Sequence, residues 1–286
     1  MIRRVAIADS VTSIVGRARR SPAGARARMA VAAPRLALRR DAAGRAIARA
    51  VRDASLGRLD DGDRAWARRI ESRRETLLHA SATTGPAFDP GTAGPEGRFS
   101  MERERTTVAI ASAFMSLQRA WCVLLLRLVR EVEPRFCLEL GTGFGISGAY
   151  QAAGLELNGA GRLTTLEGSA DWAELASDGF RELGLDERVD LLVGPIAETL
   201  RTLPSAAGPF ELVFIDAEHQ AEATVEHFDA LAPRLAPGAV VVLDDLNWLP
   251  IREAWSRISA DDRVARAVPV GRLGFVVVAA EGRGGA

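Results

Sequence analysis

Short apolar runs alternate with amphipathic segments along the second half of the chain, from Arg135 onward. Runs that are apolar at consecutive positions are typical of strands buried on both faces, and the segments between them carry apolar residues at helical spacing. This alternation predicts an α/β fold with a mostly parallel, doubly wound sheet and right-handed crossovers. The predicted strands are Phe136–Leu140, Arg162–Leu166, Val189–Val193, Leu212–Ile215 and Ala239–Leu243, and the predicted helices between them are Ile146–Ala153, Ala170–Leu183, Ile196–Leu203 and Ala221–Leu235.

The pattern changes at the end of this region. A predicted helix at Ile251–Ser259 is followed by two apolar runs, Val264–Val270 and Leu273–Ala279. Only Gly271 and Arg272 separate these two runs, and that spacing is typical of a β-hairpin at a sheet edge. The sequence therefore predicts a Rossmann-like, doubly wound, seven-stranded sheet, with five parallel strands and a C-terminal hairpin.

Before Arg135 the pattern predicts a helical organisation. Leu36–Leu59 and Arg64–Leu78 are rich in alanine and arginine, which favour helix. Pro22 and Pro34 are expected to interrupt any helix near the start of the chain, because proline removes a backbone donor.

A long loop and a long helix are predicted next. Thr83–Arg98 is rich in glycine and proline, and it serves either as a lid that contacts substrate or as a plain linker. A helix is predicted from Met101 to Val132, with Pro134 after it. We therefore expect a helical N-terminal region at residues 1–100, acting as a cap, a lid or an oligomerisation surface, and an α/β domain at residues 101–286.

Charge is balanced overall but unevenly distributed. Residues 1–80 hold 19 Arg against 8 acidic residues, and the rest of the chain holds 18 Arg against 29 acidic residues. An Arg-rich amphipathic region could contact a membrane surface, a nucleic acid or an acidic partner, or it could be a solvated face or a subunit contact. No nucleic-acid-binding motif is present and stacking aromatics are scarce, so we expect no nucleic-acid partner and a homo-oligomer.

The cysteine and histidine content further limits the kinds of disulfide and metal site that the chain can form. Cys122 and Cys137 lie in apolar runs and cannot form a disulfide framework, and with His79, His219 and His227 they form no zinc ligand set. No chemical role is expected for His79 or His227. The expected compartment is reducing and cytoplasmic. No apolar stretch reaches the ~20 residues of a membrane span, and arginines interrupt the first apolar residues, so neither a signal peptide nor integral membrane association is expected.

The first predicted strand runs into a glycine-rich turn, Leu-Glu-Leu-Gly-Thr-Gly-Phe-Gly, which includes Glu139, Gly141, Thr142 and Gly143. Glycines let the backbone approach a ligand closely, and ligands of open α/β sheets bind at the carboxyl ends of strands. Such a turn fits NAD, a nucleotide or S-adenosylmethionine. The chain has no lysine for a phosphate-binding loop, and Glu139 would repel a pyrophosphate but suits a cofactor with an amino group and a sulfonium.

The next two strand ends support an adenosine cofactor. Glu167 and Gly168 follow the second predicted strand, where a carboxylate can accept both hydroxyls of a ribose. Gly194 lies in a small-residue turn after the third strand, where an adenine could lie. A helix cap or a surface charge is the plain alternative for either acid.

These motifs, LELGTGFGIS and LEG followed by a seven-strand pattern that closes in a hairpin, resemble class I S-adenosylmethionine-dependent methyltransferases over about residues 105–280. The resemblance implies that Glu139, Gly141 and Gly143 line the methionine end of the cofactor and that Glu167 binds the ribose. Thr142, Gly168, Gly194 and Asp216 complete the predicted cofactor-binding set.

Acidic residues also follow the fourth and fifth predicted strands. Asp216 precedes His219 by three positions, and Asp244 and Asp245 end the next strand. Adjacent parallel strands should bring the three carboxylates to one edge, where they repel one another unless a cation intervenes. Carboxylate oxygens suit Mg²⁺, which could lower the pKa of an acceptor hydroxyl, and His219 could take the proton.

This second arrangement resembles metal-dependent O-methyltransferases, especially the macrolide-sugar type, which carries Asp-x-x-His after strand four and an acidic pair after strand five. The resemblance implies that Asp216, Asp244 and Asp245 bind the metal and that His219 is the general base. The catechol type has a lysine where this chain has His219. A solvated histidine, and an aspartate pair bonded only to the following turn, are the plain alternatives; Trp248 walls the acceptor pocket or packs in the core.

The predicted function is methyl transfer from S-adenosylmethionine to a hydroxyl of a small molecule or natural product, with Mg²⁺ assistance. Two alternative enzymes remain open, an N- or C-methyltransferase of the same fold without metal and an NAD-dependent oxidoreductase. A non-enzymatic protein that binds a nucleoside or pairs with a partner enzyme is the third alternative.

Overall fold

The fold is built around one mixed β-sheet. The structure is a computed structural model that describes residues 22–37, 41–84 and 106–280. Among these residues the sheet has seven strands in the order β3-β2-β1-β4-β5-β7-β6, and β7 runs antiparallel to both of its neighbours. This confirms the predicted fold. The strands are β1 (Phe136–Leu140), β2 (Arg162–Glu167), β3 (Val189–Val193), β4 (Phe210–Ile215), β5 (Leu235–Leu243), β6 (Val264–Val270) and β7 (Leu273–Val278).

Helices cover both faces of this sheet, and further helices precede its first strand along the chain. A two-residue ladder also pairs Thr83–Thr84 with Thr106–Thr107. The helices are α1 (Pro22–Ala37), α2 (Ala42–Leu56), α3 (Asp61–Leu78), α4 (Val108–Met115), α5 (Arg119–Val132), α6 (Ile146–Asn158), α7 (Ala170–Leu183), α8 (Ile196–Thr202), α9 (Ala221–Leu231) and α10 (Leu249–Ser259), and Asp186–Arg188 and Ala232–Arg234 form single 3₁₀ turns.

The central strands are buried on both faces, which explains their unbroken apolar runs. Successive side chains of a strand point to opposite faces, so Leu138 and Leu140 pack in one buried cluster with α8, α9 and α10. Cys137 points the other way and packs in a second cluster with α5, α6 and α7. The result is a three-layer α/β arrangement whose strand ends stay free to carry polar residues.

The described N-terminal helices pack on the α5 side of the sheet. Met29, Ile47 and Ile70 are fully buried in the cluster that also contains Leu124 of α5. Arg127 of α5 reinforces this contact through ion pairs with two acids of α2 and α3: its guanidinium lies 3.3 Å from Asp53 and 2.8 Å from Asp63. The cap, lid or oligomerisation role of residues 1–100 stays a prediction.

Two predictions for the region before Pro134 are wrong. The single helix expected over Met101–Val132 is two helices, α4 and α5, bent by 60°. The break occurs because Ser116 is extended (ψ 127°) and Leu117 turns into the core, where it is 3% exposed. Neither predicted proline interrupts the helix: Pro22 begins α1, where the missing N–H of a first helical residue costs nothing, and Pro34 lies within α1. Residues 85–105, which hold most of the predicted loop, lie outside the described residues.

Two further features of the described residues concern the cysteines and the length of the apolar helices. Cys122 and Cys137 are both buried and free. In the described ranges, no single helix is long and apolar enough to cross a membrane, although α4 and α5 pass that test when the bent pair is counted together.

Candidate functional site

The carboxyl ends of β1, β4 and β5 lie side by side, and the strand order reverses between β1 and β4. Backbone hydrogen bonds step across these ends: the Asp216 N–H donates to the Leu140 carbonyl at 2.9 Å, and the Asp244 N–H donates to the Ile215 carbonyl at 3.0 Å. A reversal of this kind opens a crevice, which is where open α/β sheets bind their ligands. The structure therefore brings the glycine turn and the predicted acids to one edge.

The glycine turn after β1 depends on glycine at a particular position. Gly141 has φ of +92°, and a Cβ added there would lie 2.1 Å from the Asp216 carbonyl oxygen. Gly143 also has positive φ, +53°, but a Cβ added there would meet no atom within 4 Å. Gly141 thus permits the close approach of two strand ends, whereas Gly143 borders open space that a ligand could fill.

Glu167 is held against this turn. The Gly143 N–H donates to its Oε2 at 2.7 Å and the Ser169 N–H donates to its Oε1 at 2.8 Å. Burial raises the pKa of Glu167, and these backbone donors partly oppose that shift. The Gly194 N–H donates to the Glu167 carbonyl at 2.9 Å, and Gly168 borders open space. The residues predicted to bind ribose and adenine are therefore neighbours.

The side chains of Glu139 and Thr142 lie beneath the turn. Glu139 is fully buried and accepts hydrogen bonds from Gln151 at 2.9 Å and Thr165 at 2.8 Å. Burial raises the pKa of Glu139 to about 8, so this carboxyl is mostly neutral at pH 7. The Thr142 hydroxyl pairs with that of Thr165 at 2.6 Å. Buried partners thus hold the Glu139 carboxyl, and its contact with the methionine end of a cofactor stays a prediction.

Val193 is a neighbour of Glu167 that the sequence analysis missed. The two residues pair in the β2–β3 register and so share a face of the sheet. Val193 is 54% exposed, which is high for an apolar residue at a strand end. The indication in the sequence was that Val193 is the last residue of the apolar β3 run, immediately before Gly194.

His219 lies between two of the predicted metal ligands. Its Nε2 is 3.3 Å from Asp216 Oδ1 and 3.2 Å from Asp245 Oδ2. Burial alone would lower the pKa of His219, but hydrogen bonds and charge from the two carboxylates raise it to about 10. The Trp248 ring lies 6.1 Å from the imidazole between ring centroids. Trp248 therefore borders the imidazole as well as packing against the core.

Backbone strain is concentrated at the same place. Glu218, His219 and Asp245 have φ of +58°, +45° and +58°. Residues other than glycine adopt this left-handed region infrequently, at a cost of about 1–3 kcal/mol each, and they cluster at functional sites. His219 thus precedes α9 in a strained turn, and all three strained residues lie at the ends of β4 and β5.

The described residues fit a metal only in part. Ligand atoms of Asp216, His219 and Asp245 lie within 4.8 Å of one another, and could surround a cation. Asp244, in contrast, binds Arg272: the distances are 2.6 Å from Nε to Oδ1 and 2.8 Å from Nη2 to Oδ2. Both carboxylate oxygens of Asp244 thus face a guanidinium, and the role of Asp244 as a metal ligand stays a prediction.

Arg272 is the main residue of this site that the sequence analysis missed. It also binds Asp245, and the carboxylates of Asp244, Asp245 and Asp216 raise its pKa against the lowering effect of burial. Its position in a two-residue hairpin turn was visible in the sequence. Its contact with residues 27 and 28 positions earlier was not.

Comparisons with known proteins agree with this geometry. A sequence profile of the family described as "Methyltransferase domain" matches residues 138–246. A catechol O-methyltransferase of Mycobacterium tuberculosis is 39% identical over 120 residues, which are 42% of this chain and 51% of that protein. A Mycobacterium bovis protein named as an O-methyltransferase is 33% identical over 187 residues, which are 59% of this chain and 79% of that protein. The chain thus spans about half the length of the first relative.

A solved structure is similar as well. The crystal structure of an O-methyltransferase from Bacillus cereus in complex with SAH is 25% identical to this chain with a TM-score of 0.51. The match covers 58% of this chain and 83% of that one.

Proposed function

Because the chain belongs to the class I S-adenosylmethionine-dependent O-methyltransferase family, we propose that it transfers the methyl group of S-adenosylmethionine to a hydroxyl oxygen of a small molecule. One observation carries this proposal: Asp216, His219 and Asp245 meet in a strained cluster beside the glycine turn. In this proposal His219 is the proton acceptor, next to the point at which a cofactor would present its methyl group.

The cofactor would lie across the ends of β1, β2 and β3. In this proposal the Glu167 carboxylate accepts the two ribose hydroxyls, and the open space at Gly143 and Gly168 admits the ribose. The exposed side chain of Val193 and the turn at Gly194 form the adenine surface. The methionine end lies above Gly141, toward Asp216.

We expect S-adenosylhomocysteine to bind the purified protein with micromolar affinity, and Glu167→Ala to weaken binding by at least about 100-fold. The reason is that two hydrogen bonds to a charged acceptor contribute roughly 1.5–3 kcal/mol each. Calorimetric titration measures this. Glu187→Ala is the matched control, since Glu187 is an exposed acid outside the cleft and should bind as the wild type does. A folded wild-type protein that does not bind S-adenosylhomocysteine contradicts the proposed cofactor.

In the proposed reaction the acceptor oxygen attacks the methyl carbon in line with the carbon–sulfur bond. That bond breaks, its electron pair stays on sulfur, and S-adenosylhomocysteine leaves. The hydroxyl proton passes to His219 Nε2, where Asp216 and Asp245 stabilise the resulting imidazolium. Holding the two reactants in line supplies most of the rate, because orientation removes a large entropic barrier.

The rate is expected to rise with pH. The pKa of His219 is about 10, above its ordinary 6.5, so the imidazole carries a proton at neutral pH and must lose it to act as a base. A bound sulfonium adds positive charge and lowers this pKa. A pH profile of kcat at saturating cofactor should therefore rise from neutral pH to a plateau below about pH 10. A profile that is flat over this range, with cofactor binding intact, would exclude His219 as the base.

No step of this proposal passes through a divalent cation. The expected Mg²⁺ assistance requires free carboxylates, and Asp216 and Asp245 offer them in part, whereas Asp244 is bound by Arg272. Were an ion present, Asp216 and Asp245 would hold it, and it would supply a Lewis acid for the hydroxyl.

The N-terminal helices lie near this site. A Cβ added at Gly271, the residue before Arg272, would be 2.5 Å from the Trp121 ring of α5 and 3.3 Å from Arg28 of α1. We therefore favour the cap role for the N-terminal region, which would close over the acceptor. Screening hydroxylated small molecules, catechols included, by mass spectrometry of the methylated product identifies the acceptor and distinguishes O- from N- or C-methylation.

A further inference from the structure

We propose that the guanidinium of Arg272 takes the place of a divalent cation among Asp216, Asp244 and Asp245, so that the chain neutralises these acids with its own side chain. We refer to these three residues as the acidic cluster. The electrostatic part of this inference stands on the contacts alone. Its meaning for catalysis rests on the proposed methyl transfer.

Arg272 makes the contacts that a bridging cation would make. Its Nε and Nη2 bind the two oxygens of Asp244 at 2.6 and 2.8 Å, and Nη2 also binds Asp245 Oδ1. A guanidinium matches a carboxylate in this two-pronged geometry, and its charge persists at any pH at which a protein is folded. One side chain therefore links two of the three acids.

Arg272 offsets part of the negative charge in the cluster without an ion. Asp244 has 1% of its side chain exposed and Asp245 has 12%, so uncompensated carboxylates here would be costly. Arg272 supplies one positive charge directly to Asp244 and Asp245, and the His219 imidazole lies between Asp216 and Asp245, 3.3 and 3.2 Å from their oxygens. A divalent cation would have to sit beside the guanidinium and be repelled by it.

The fold holds Arg272 in this position. It lies in the turn between β6 and β7, where Gly271 has φ of +64° and packs beneath Trp121. The Arg272 carbonyl accepts a hydrogen bond from the Leu246 N–H at 2.8 Å, which ties the turn to the segment that follows Asp245. The guanidinium is therefore brought to the cluster by the backbone, as a built-in part of the site.

Arg272 is accordingly a positioning residue. It binds one oxygen of Asp245, and the other oxygen of Asp245 faces His219. Fixing Asp245 in this way orients the imidazole. A guanidinium has no open coordination position for an acceptor oxygen, so proton removal depends on His219.

Mn²⁺ titration followed by electron paramagnetic resonance tests the inference without any need for turnover. The signal of free Mn²⁺ should be unchanged by the wild-type protein up to about 1 mM. Arg272→Met removes the charge and keeps much of the apolar stem, so it should bind one Mn²⁺ with a Kd on the order of 10⁻⁴ M. Arg266→Met is the matched control: this arginine lies on the same hairpin, pairs with Asp41 and should leave the protein unable to bind Mn²⁺.

Two results would overturn the inference. One is Mn²⁺ binding by the wild type that Asp245→Asn removes. The other is a folded Arg272→Met variant that binds no Mn²⁺. If that variant does not fold, Arg272→Met/Asp244→Asn replaces it, because it also removes the buried charge of Asp244, while Asp245 keeps its contact with His219 and the ligand set of Asp216, His219 and Asp245 remains. The double variant is likewise expected to bind one Mn²⁺, and a folded double variant that binds no Mn²⁺ would overturn the inference.

A parallel titration with S-adenosylhomocysteine separates the two proposals. If the wild-type protein does not bind S-adenosylhomocysteine, the proposed function is contradicted. The Mn²⁺ result then tests the role of Arg272 independently of that function. Normal cofactor binding together with wild-type Mn²⁺ binding would overturn only the role of Arg272.

Discussion

His219→Asn is expected to lower kcat by about 10²- to 10⁴-fold, the usual contribution of a general base. Asparagine keeps a polar group between Asp216 and Asp245 but cannot accept the hydroxyl proton. The affinity for S-adenosylhomocysteine should stay at the wild-type value, because the Glu167 side of the cleft is unchanged. Steady-state kinetics with an unmethylated acceptor found in the product screen, together with calorimetry of the same protein, measure both quantities.

His79→Gln is the matched control for this experiment. His79 has 73% of its side chain exposed and lies 3.6 Å from Glu75 at the end of α3, outside the cleft, so kcat should not change. A His219→Asn enzyme that retains most of the wild-type kcat would show that another group takes the proton. Asp216 and Asp245 would then be the next residues to replace.

Gly141→Ala is expected to destabilise the protein by at least about 3 kcal/mol, at the upper end of overpacking and backbone strain combined. The new Cβ would lie 2.1 Å from the Asp216 carbonyl oxygen, and φ of +92° is unfavourable for alanine. Backbone cannot move aside as a flexible side chain can, so the ends of β1 and β4 must separate. Urea unfolding monitored by circular dichroism measures the loss.

Gly159→Ala isolates the effect of the backbone angle. Gly159 ends α6 with φ of +71°, and a Cβ there would meet no atom within 4 Å. Gly159→Ala should therefore lower the free energy of unfolding by only about 1 kcal/mol, the cost of placing alanine in the left-handed conformation. Equal losses for the two variants would show that the contact with Asp216 relaxes easily. In that case the glycine at 141 would be needed only for its backbone angle.

Much of the fold could be read from local pattern. The bounds of β1, β3, β6 and α7 agree with the predicted segments, because a strand buried on both faces or an amphipathic helix shows its periodicity in its own residues. Other boundaries moved by a few residues; β4, for instance, begins at Phe210 instead of Leu212. The break between α4 and α5 was missed, since both sides of it are helical in pattern and only the burial of Leu117 in the core bends the chain there.

The candidate site was predictable in composition but not in pairing. The sequence alone determined that Gly141, Glu167, Asp216 and Asp245 follow parallel strands, and parallel strands necessarily present their carboxyl ends at one edge. Only the tertiary structure decided which polar groups meet: Glu139 accepts hydrogen bonds from Gln151 and Thr165, and Arg272 reaches Asp244 from a hairpin turn. The physical reason is that strand order and burial follow from periodicity along the chain. Which charged side chains pair depends on how side chains from segments distant in sequence point toward one another. The periodicity of the sequence does not contain that information.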